Sequence, residues 1–352
     1  MRTQFIFSIV LFAFSFVCGC KKEEQNPVTN NANNNNGNTG NDTPGDVYIC
    51  GTEQIGSDAY PRYWKNGEEF EIYSANRPAT ATCIWVNDQH VFVGGRINEV
   101  GSVQNQPCYW VDDELFELNN DDGSVHCSIT DIYVKGDNEV FTAGHIRDES
   151  GWNKAMYWNA SIAVELTDGS KDAEAHGIWV DGNDVYVCGY EKDQAFGGST
   201  VAKYWVNGVP VTLGSGEEDS FAYDIRVVNG DVIVVGTDAD MVGTQNGEQA
   251  VIWINGVRSE FTGSGGAAYS VFADGDDIYV GGEVWAGSET LPTYWLNFNG
   301  YNPYTPDGSI AYGAVYEIFV YDGVIHTLGG LYTNNSAETY ADYGNMYGLF
   351  VY

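Results

Sequence analysis

The stretch "IWVDGNDVYVCGY", Ile178 to Tyr190, decides the fold. Two short runs of alternating apolar residues flank an Asp-Gly-Asn turn, which is the signature of a tight hairpin. The second run closes on a glycine, and that apolar strand with its terminal glycine returns down the chain. The matches are "DVYICG" (46–51), "HVFVGG" (90–95), "EVFTAG" (139–144), "DVYVCG" (184–189), "DVIVVG" (231–236), "DIYVGG" (277–282) and "VIHTLGG" (324–330). A second strand follows each one after a variable loop: "PRYWKNG", "PCYWVDD", "AMYWNA", "AKYWVNG", "AVIWING", "PTYWLN" and finally "YGLFVY". Its aromatic falls at Trp64, Trp110, Trp158, Trp205, Trp253, Trp295 and Phe350.

Each unit divides into four strands. Strand A is the "GIWVDG" type, B the "DVYVCG" type, C the "AKYWVNG" type and D a short segment such as "PVTLG" or "LFELNN". Four antiparallel strands repeated in tandem at about 40–50 residues predict the blades of a β-propeller, an all-β fold in which radial packing buries both faces of each small sheet. The repeated Trp, and the Tyr before it in most units, are then packing residues between blades. The array starts on a B strand and ends on a strand assigned to C. That gives seven B and seven C strands but six each of A and D, so seven blades with an irregular seam are expected. The alternative is six blades, with the terminal strands sharing a blade, and "YGLFVY" also suits a closing strand.

The A–B hairpin, with its "VD-G-N-VYV-G" pattern, resembles the repeat of the SBBP family of bacterial β-propellers. The resemblance covers most units between Asp46 and Gly330 and is weakest at "DIRVVNGDVIVVG" around Arg226. It implies a propeller and carries no catalytic motif with it.

The first residues address the chain. "MRTQFIFSIVLFAFSFVCGC" has a basic start at Arg2 and an apolar run from Phe5 to Val17, too short to span a bilayer comfortably, so residues 1–19 read as a signal peptide. Val17-Cys18-Gly19-Cys20 resembles a bacterial lipobox with Cys20 as the lipidated residue, and "KKEEQ" (21–25) resembles the export signal of Bacteroidetes surface lipoproteins. Residues 20–45 then form an Asn/Gly-rich tether with almost nothing to bury, ahead of a propeller domain at 46–352. The expected location is the outer membrane or cell surface, with the membrane met only through the lipid.

The formal charge is −34, and loss of Arg2 with the signal peptide leaves 14 basic against 49 acidic residues, or −35. So acidic a body argues against nucleic acid and against anionic lipid headgroups as partners. Cys50, Cys83, Cys108, Cys127 and Cys188 are an odd number without paired spacing, hence no disulfide framework, and Cys50 and Cys188 take small-residue positions in equivalent strands.

Function is sought on the face that varies. A–B and C–D turns share one face and are short, whereas the B–C and D–A connections share the other and are long and unalike, as in "RINEVGSVQNQ", "HIRDESGWNK" and "TDADMVGTQNGEQ". Long varied loops on a rigid scaffold are where recognition is usually placed. Two residues before the aligned Ile or Val of strand A stand Thr82, Thr130, His176, Tyr223, Tyr269 and Tyr316. With A innermost, they ring the channel mouth on that face, where Tyr and His suit sugar rings. Trp152, Trp285, Arg96, Arg147 and Phe196 are candidate rim contacts from the B–C loops.

No phosphate loop, HExxH, nucleophile elbow or Asp-box occurs. The five histidines (His90, His126, His145, His176, His326) lack ligand spacing, although His145 and His176 can approach each other, and no metal or cofactor is expected. Carboxylates clustered in the A–B turns, as in "DGNDV", are explained by turn chemistry. These readings favour a non-catalytic, monomeric scaffold binding a glycan or a protein, with a glycoside hydrolase or lyase as the alternative. The discriminator is the channel mouth. An aromatic, neutral polar lining is expected, and acids about 5–9 Å apart with perturbed pKa values would favour the enzyme.

Overall fold

The computed structural model describes residues 45–55, 58–99, 104–118, 126–147, 151–194, 198–239, 248–261, 265–286, 289–301, 312–321, 323–332 and 345–351. Blade 1 contains β1 (Val47–Ile55), β2 (Asp58–Lys65) and β3 (Glu68–Glu71). Blade 2 contains β4 (Ala79–Val86), β5 (Val91–Asn98), β6 (Asn105–Val111) and β7 (Glu114–Glu117). Blade 3 contains β8 (His126–Lys135), β9 (Glu139–Arg147), β10 (Asn153–Asn159) and β11 (Ile162–Glu165). Blade 4 contains β12 (Ala173–Asp181), β13 (Asp184–Lys192), β14 (Thr200–Val206) and β15 (Val209–Thr212). Blade 5 contains β16 (Ser220–Val228), β17 (Asp231–Asp238), β18 (Gln249–Ile254) and β19 (Val257–Glu260). Blade 6 contains β20 (Gly266–Asp274), β21 (Asp277–Ala286), β22 (Glu289–Leu296) and β23 (Asn299–Tyr301), and blade 7 contains β24 (Tyr312–Tyr321) and β25 (Val324–Tyr332). The last strand, β26 (Asn345–Val351), belongs to blade 1, whose order is β26-β1-β2-β3.

The fold is therefore a seven-bladed propeller, with six four-stranded antiparallel sheets and a pair of strands in blade 7 among the described residues. The inner strands touch one another in the order β26, β4, β8, β12, β16, β20, β24 and back to β26, which closes the ring. One assignment is corrected here. The segment "YGLFVY" is not the C strand of the seventh unit; as far as Val351 it is part of β26, which pairs antiparallel with β1 and fills the A position of blade 1. The described strands thus number seven each in A and B and six each in C and D.

The repeat grammar has physical causes. Trp110, Trp158, Trp205, Trp253 and Trp295 are fully buried between blades, while Trp64, beside the seam, is partly buried. In "WVNG" turns the Asn and Gly both take positive φ, as at Asn207 (52°) and Gly208 (81°), the conformation of a two-residue hairpin turn. Asn207 Oδ1 accepts the Val185 amide at 2.9 Å and its Nδ2 donates to Asp184 at 2.8 Å. Asn66, Asn255 and Asn297 make the same clamp to Asp46, Asp231 and Asp277. The recurrent Asp of "DVYVCG" thus ties strand B to the C–D turn. Outer D strands carry exposed Glu68, Glu114, Glu165 and Glu260, which discourages edge pairing. Cys50, Cys83, Cys108, Cys127 and Cys188 are all buried thiols.

Candidate functional site

Every inner strand carries a β-bulge against its B strand. The residue passed over is Thr82 in β4, Thr130 in β8, His176 in β12, Tyr223 in β16, Tyr269 in β20 and Tyr316 in β24. In β26 the same place in the register belongs to Tyr347. A bulge sets two consecutive side chains on one face. Strand A therefore offers the channel the bulged residue, the next one and the one two further on, which makes three tiers.

The channel encloses a cavity of about 360 Å³. Thr82, Thr130, His176, Tyr223 and Tyr269 line its upper tier, Cys83, Asp131, Gly177, Asp224 and Glu317 its middle, and Trp85, Trp179, Arg226, Phe272 and Phe319 its floor. Tyr316 does not line the cavity; its ring packs on Tyr269 at 5.3 Å.

The upper tier is half stitching and half aromatic. Thr82 Oγ1 donates to the Ile129 carbonyl at 2.6 Å, Thr130 Oγ1 to Ala175 at 2.9 Å, and His176 Nδ1 lies 2.8 Å from the Ala222 carbonyl. These three join blades 2, 3, 4 and 5 in series. From His176 onward the rings form an arc: His176 stacks on Tyr223 at 5.6 Å, Tyr223 meets Tyr269 at 5.2 Å, and Tyr269 meets Tyr316. Phe221 lies parallel to Tyr223 at 6.0 Å. Burial pushes the Tyr223 phenol up to about 12, and burial together with the charge of Glu283 raises Tyr269, whose hydroxyl is 3.2 Å from Glu283 Oε1. Both phenols remain donors at physiological pH.

Beside His176 stands a polar group on the mouth between blades 3 and 4. His176 Nε2 is 3.5 Å from Glu174 Oε2, Asn153 Nδ2 donates to Glu174 Oε1 at 2.5 Å, and Arg147 Nε donates to Asn153 Oδ1 at 2.7 Å. Burial alone would raise Glu174, but the His176 hydrogen bond and the neighbouring His145 outweigh it and bring it down to about 2. Burial lowers His145. The two histidines thus do flank one carboxylate, yet the described residues contain no group of three metal-ligating side chains arranged to hold an ion.

The rim residues stand on strands more than on loops. Arg96 is exposed on β5, Arg147 ends β9, and Trp285 lies within β21, because the B strands run on past their glycine. The Trp285 backbone amide donates to the Gly265 carbonyl at 3.2 Å, and a β-carbon on Gly265 would lie 2.6 Å from the indole, so Trp285 packs against the entry to β20. Trp152 is half-buried just before β10. Phe196 and Cys20 lie outside the described residues.

The middle tier departs from the expectation of a neutral lining. Asp131 Oδ1 and Oδ2 accept the amides of Ile132 and Ile178, each at 2.8 Å. Asp224 accepts the Ile225 amide at 2.7 Å, the Val271 amide at 2.8 Å and Arg226 Nη1 at 2.8 Å. Glu317 Oε1 takes the Ser270 hydroxyl at 2.9 Å. Burial, and then the charge of Asp224, pushes Asp131 up to about 6 and Glu317 up to about 8. On the floor the Arg226 guanidinium lies 4.9 Å over Trp179, and Trp85, Tyr133 and Trp179 meet edge to face or tilted at 4.8–6.5 Å. The mouth is aromatic, and desolvated carboxylates lie beneath it. Asp131, Asp224, Arg226 and Glu317 were missed from sequence; the available signal was the "DIRVVNG" unit, whose Arg breaks the aromatic floor position.

No family model matches the chain, and no curated protein matches it. Among solved structures it is similar to TolB from Acinetobacter baumannii, at 10% identity and a TM-score of 0.45 over 86% of this chain; the match spans 66% of the TolB chain. It is also similar to Aleuria aurantia lectin bound to alpha-methyl-L-fucoside, at 10% identity and a TM-score of 0.37, covering 74% of this chain and 96% of the lectin. A thermostable family-43 glycoside hydrolase matches at 10% identity and a TM-score of 0.33, covering 75% of this chain and 96% of that one.

Proposed function

We propose that the protein is a non-catalytic binding scaffold of the cell surface that holds a glycan at the channel mouth. The observation that carries this reading is the arc His176–Tyr223–Tyr269–Tyr316, four rings in series on one side of a rigid opening. Sugar rings present apolar C–H faces with hydroxyls at their edges, and phenols that stack and donate suit both. Thr82 and Thr130 have another task, since their hydroxyls close the seams between blades. Tyr223 and Tyr269 are accordingly the chief ligand contacts, with Arg96, Arg147, Trp152 and Trp285 around them. Lipidation of Cys20 and the tether to residue 45 hold the propeller off the outer membrane.

A second reading, a glycan-cleaving enzyme, is favoured by one observation, the desolvated acids below the arc. Against it, both oxygens of Asp131 and of Asp224 accept backbone amides of the inner strands, which is the task of a structural staple. A glycan-array and polysaccharide pull-down screen on the full chain, repeated with Tyr223→Ala and Tyr269→Ala, tests the proposal. Binding that the substitutions abolish, with no sugar released, supports it. Released sugar would establish the enzyme, and binding to a cell-surface protein alone would move the partner to that class.

A further inference from the structure

The cavity beneath the arc holds charge that the arc does not use. Asp131, Asp224 and Glu317 come from blades 3, 5 and 7 and face one cation, Arg226. Arg226 is already engaged, by Asp224 at 2.8 Å, by the Ile225 carbonyl at 2.9 Å and by the Trp179 face. Among the described residues neither Asp131 nor Glu317 forms an ion pair. Three acids thus share one cation in a desolvated channel, an excess of acid that is costly to ionise, and a bound cation offsets that cost. The floor is aromatic, Trp85, Phe272 and Phe319 beside Trp179, and aromatic faces attract organic cations. A bare metal ion fits poorly, since the described residues present no group of three ligating side chains arranged to hold one and the floor is aromatic.

From these features we infer that the channel takes a single organic ammonium group carried by a monosaccharide-sized ligand, an amino sugar, with Asp131 and Glu317 accepting its N–H groups above the aromatic floor. The inference rests on the glycan reading of the mouth and adds the charge of the sugar. At about 360 Å³ the cavity lies at the small end of small-molecule sites, which run from roughly 300 to 1,000 Å³. Binding also displaces a proton. Glu317 faces the carboxylates of Asp131 and Asp224, the Arg226 guanidinium and the Ser270 hydroxyl, and buried among them it is protonated near neutral pH until a cation arrives.

The test is isothermal titration calorimetry on the full chain at pH 6.5, with glucosamine and N-acetylglucosamine as probes and two buffers of different ionisation heat. The expected result is glucosamine binding at least about tenfold tighter than N-acetylglucosamine, about 1.4 kcal/mol, with buffer-dependent heat reporting proton release. Glu317→Gln, which keeps an acceptor for Ser270, is expected to remove the proton release and weaken glucosamine about tenfold; Asp131→Asn is the second variant, and both are checked for folding by circular dichroism. Equal binding of the two sugars, abolished by Tyr269→Ala, would overturn the ammonium site and leave the glycan reading standing. Binding of neither sugar to the folded chain, with an empty glycan array, would remove both.

Discussion

Gly189 faces the carbonyl of Glu174 so closely that a β-carbon built on it would stand 2.0 Å from the oxygen. Gly95, Gly144, Gly236, Gly282 and Gly329 meet Thr80, Ser128, Phe221, Ala267 and Ala314 in the same way, at 1.9–2.2 Å. The recurrent glycine within these six B strands is therefore required because the bulged strand A brings a carbonyl under it. Gly189→Ala is expected to cost about 3 kcal/mol or more, because backbone on both sides must move. Gly208→Ala, at a turn with open space around it and φ of 81°, is expected to cost only about 1–2 kcal/mol. Urea unfolding midpoints of the two variants give the comparison, and equal shifts would count against the close-approach explanation.

The two halves of the collar separate by mutation. Thr130→Val removes the hydrogen bond to Ala175 and is expected to lower stability by about 1 kcal/mol while leaving glycan affinity intact. Tyr223→Ala cuts the arc between His176 and Tyr269 and is expected to abolish binding with the fold retained. Melting temperature and array signal, measured on both proteins, decide it. A Thr130→Val protein that folds but no longer binds would place the ligand on the threonine side.

Which parts were legible follows from strand parity. The recurrent glycine, buried Trp205 and its equivalents, and the Asn207–Gly208 turn repeat in sequence, so the propeller, seven blades ahead of six, and five of the six inner-strand mouth residues, all but Tyr316, could be read from it. The acid tier could not. In a regular strand Asp131 and Thr130 point to opposite faces, and only the bulge between Ile129 and Asp131 turns both inward. Order along the chain misled at the other end. "MYGLFV" follows a B strand and sets Phe350 where C strands have Trp, yet its pattern is that of "AHGIWV" in β12, and pairing with β1 places it in the A position.

Acid–base behaviour should be governed by the channel. Glu317 has a folded-state pKa near 8, above the value of 4.5 for an exposed glutamate, and burial is the first cause. Between those values the folded protein binds the proton and the unfolded chain does not, so this group lowers stability as pH rises from about 4.5 to 8. Asp131, raised to about 6 by burial and then by Asp224, acts in the same direction at lower pH. Glu174, brought down to about 2, acts oppositely: its contribution is present above about 4.5 and is lost as pH falls towards 2. Melting temperature is therefore expected to fall between pH 6 and 8.5, and Glu317→Gln, which has no proton to lose, is expected to flatten that slope. An unchanged slope in the variant would show that Glu317 is not protonated in the folded state.

Closure of the ring can be tested at its last strand. Without β26, β1 loses its inner neighbour and the inner ring is open between β24 and β4. A single blade cannot bury its own faces, so the loss is not confined to blade 1; β4 and β24 both lose a packing partner on the channel side. Removing residues 345–352 is therefore expected to abolish cooperative unfolding by circular dichroism rather than shift it by a few degrees. Adding the missing segment as a synthetic peptide supplies the same backbone pairing in trans and is expected to restore a sharp transition whose midpoint rises with peptide concentration. A truncated protein that still melts cooperatively on its own would mean that blades 2 to 7 hold together without the seam, and that β26 serves the edge of blade 1 alone.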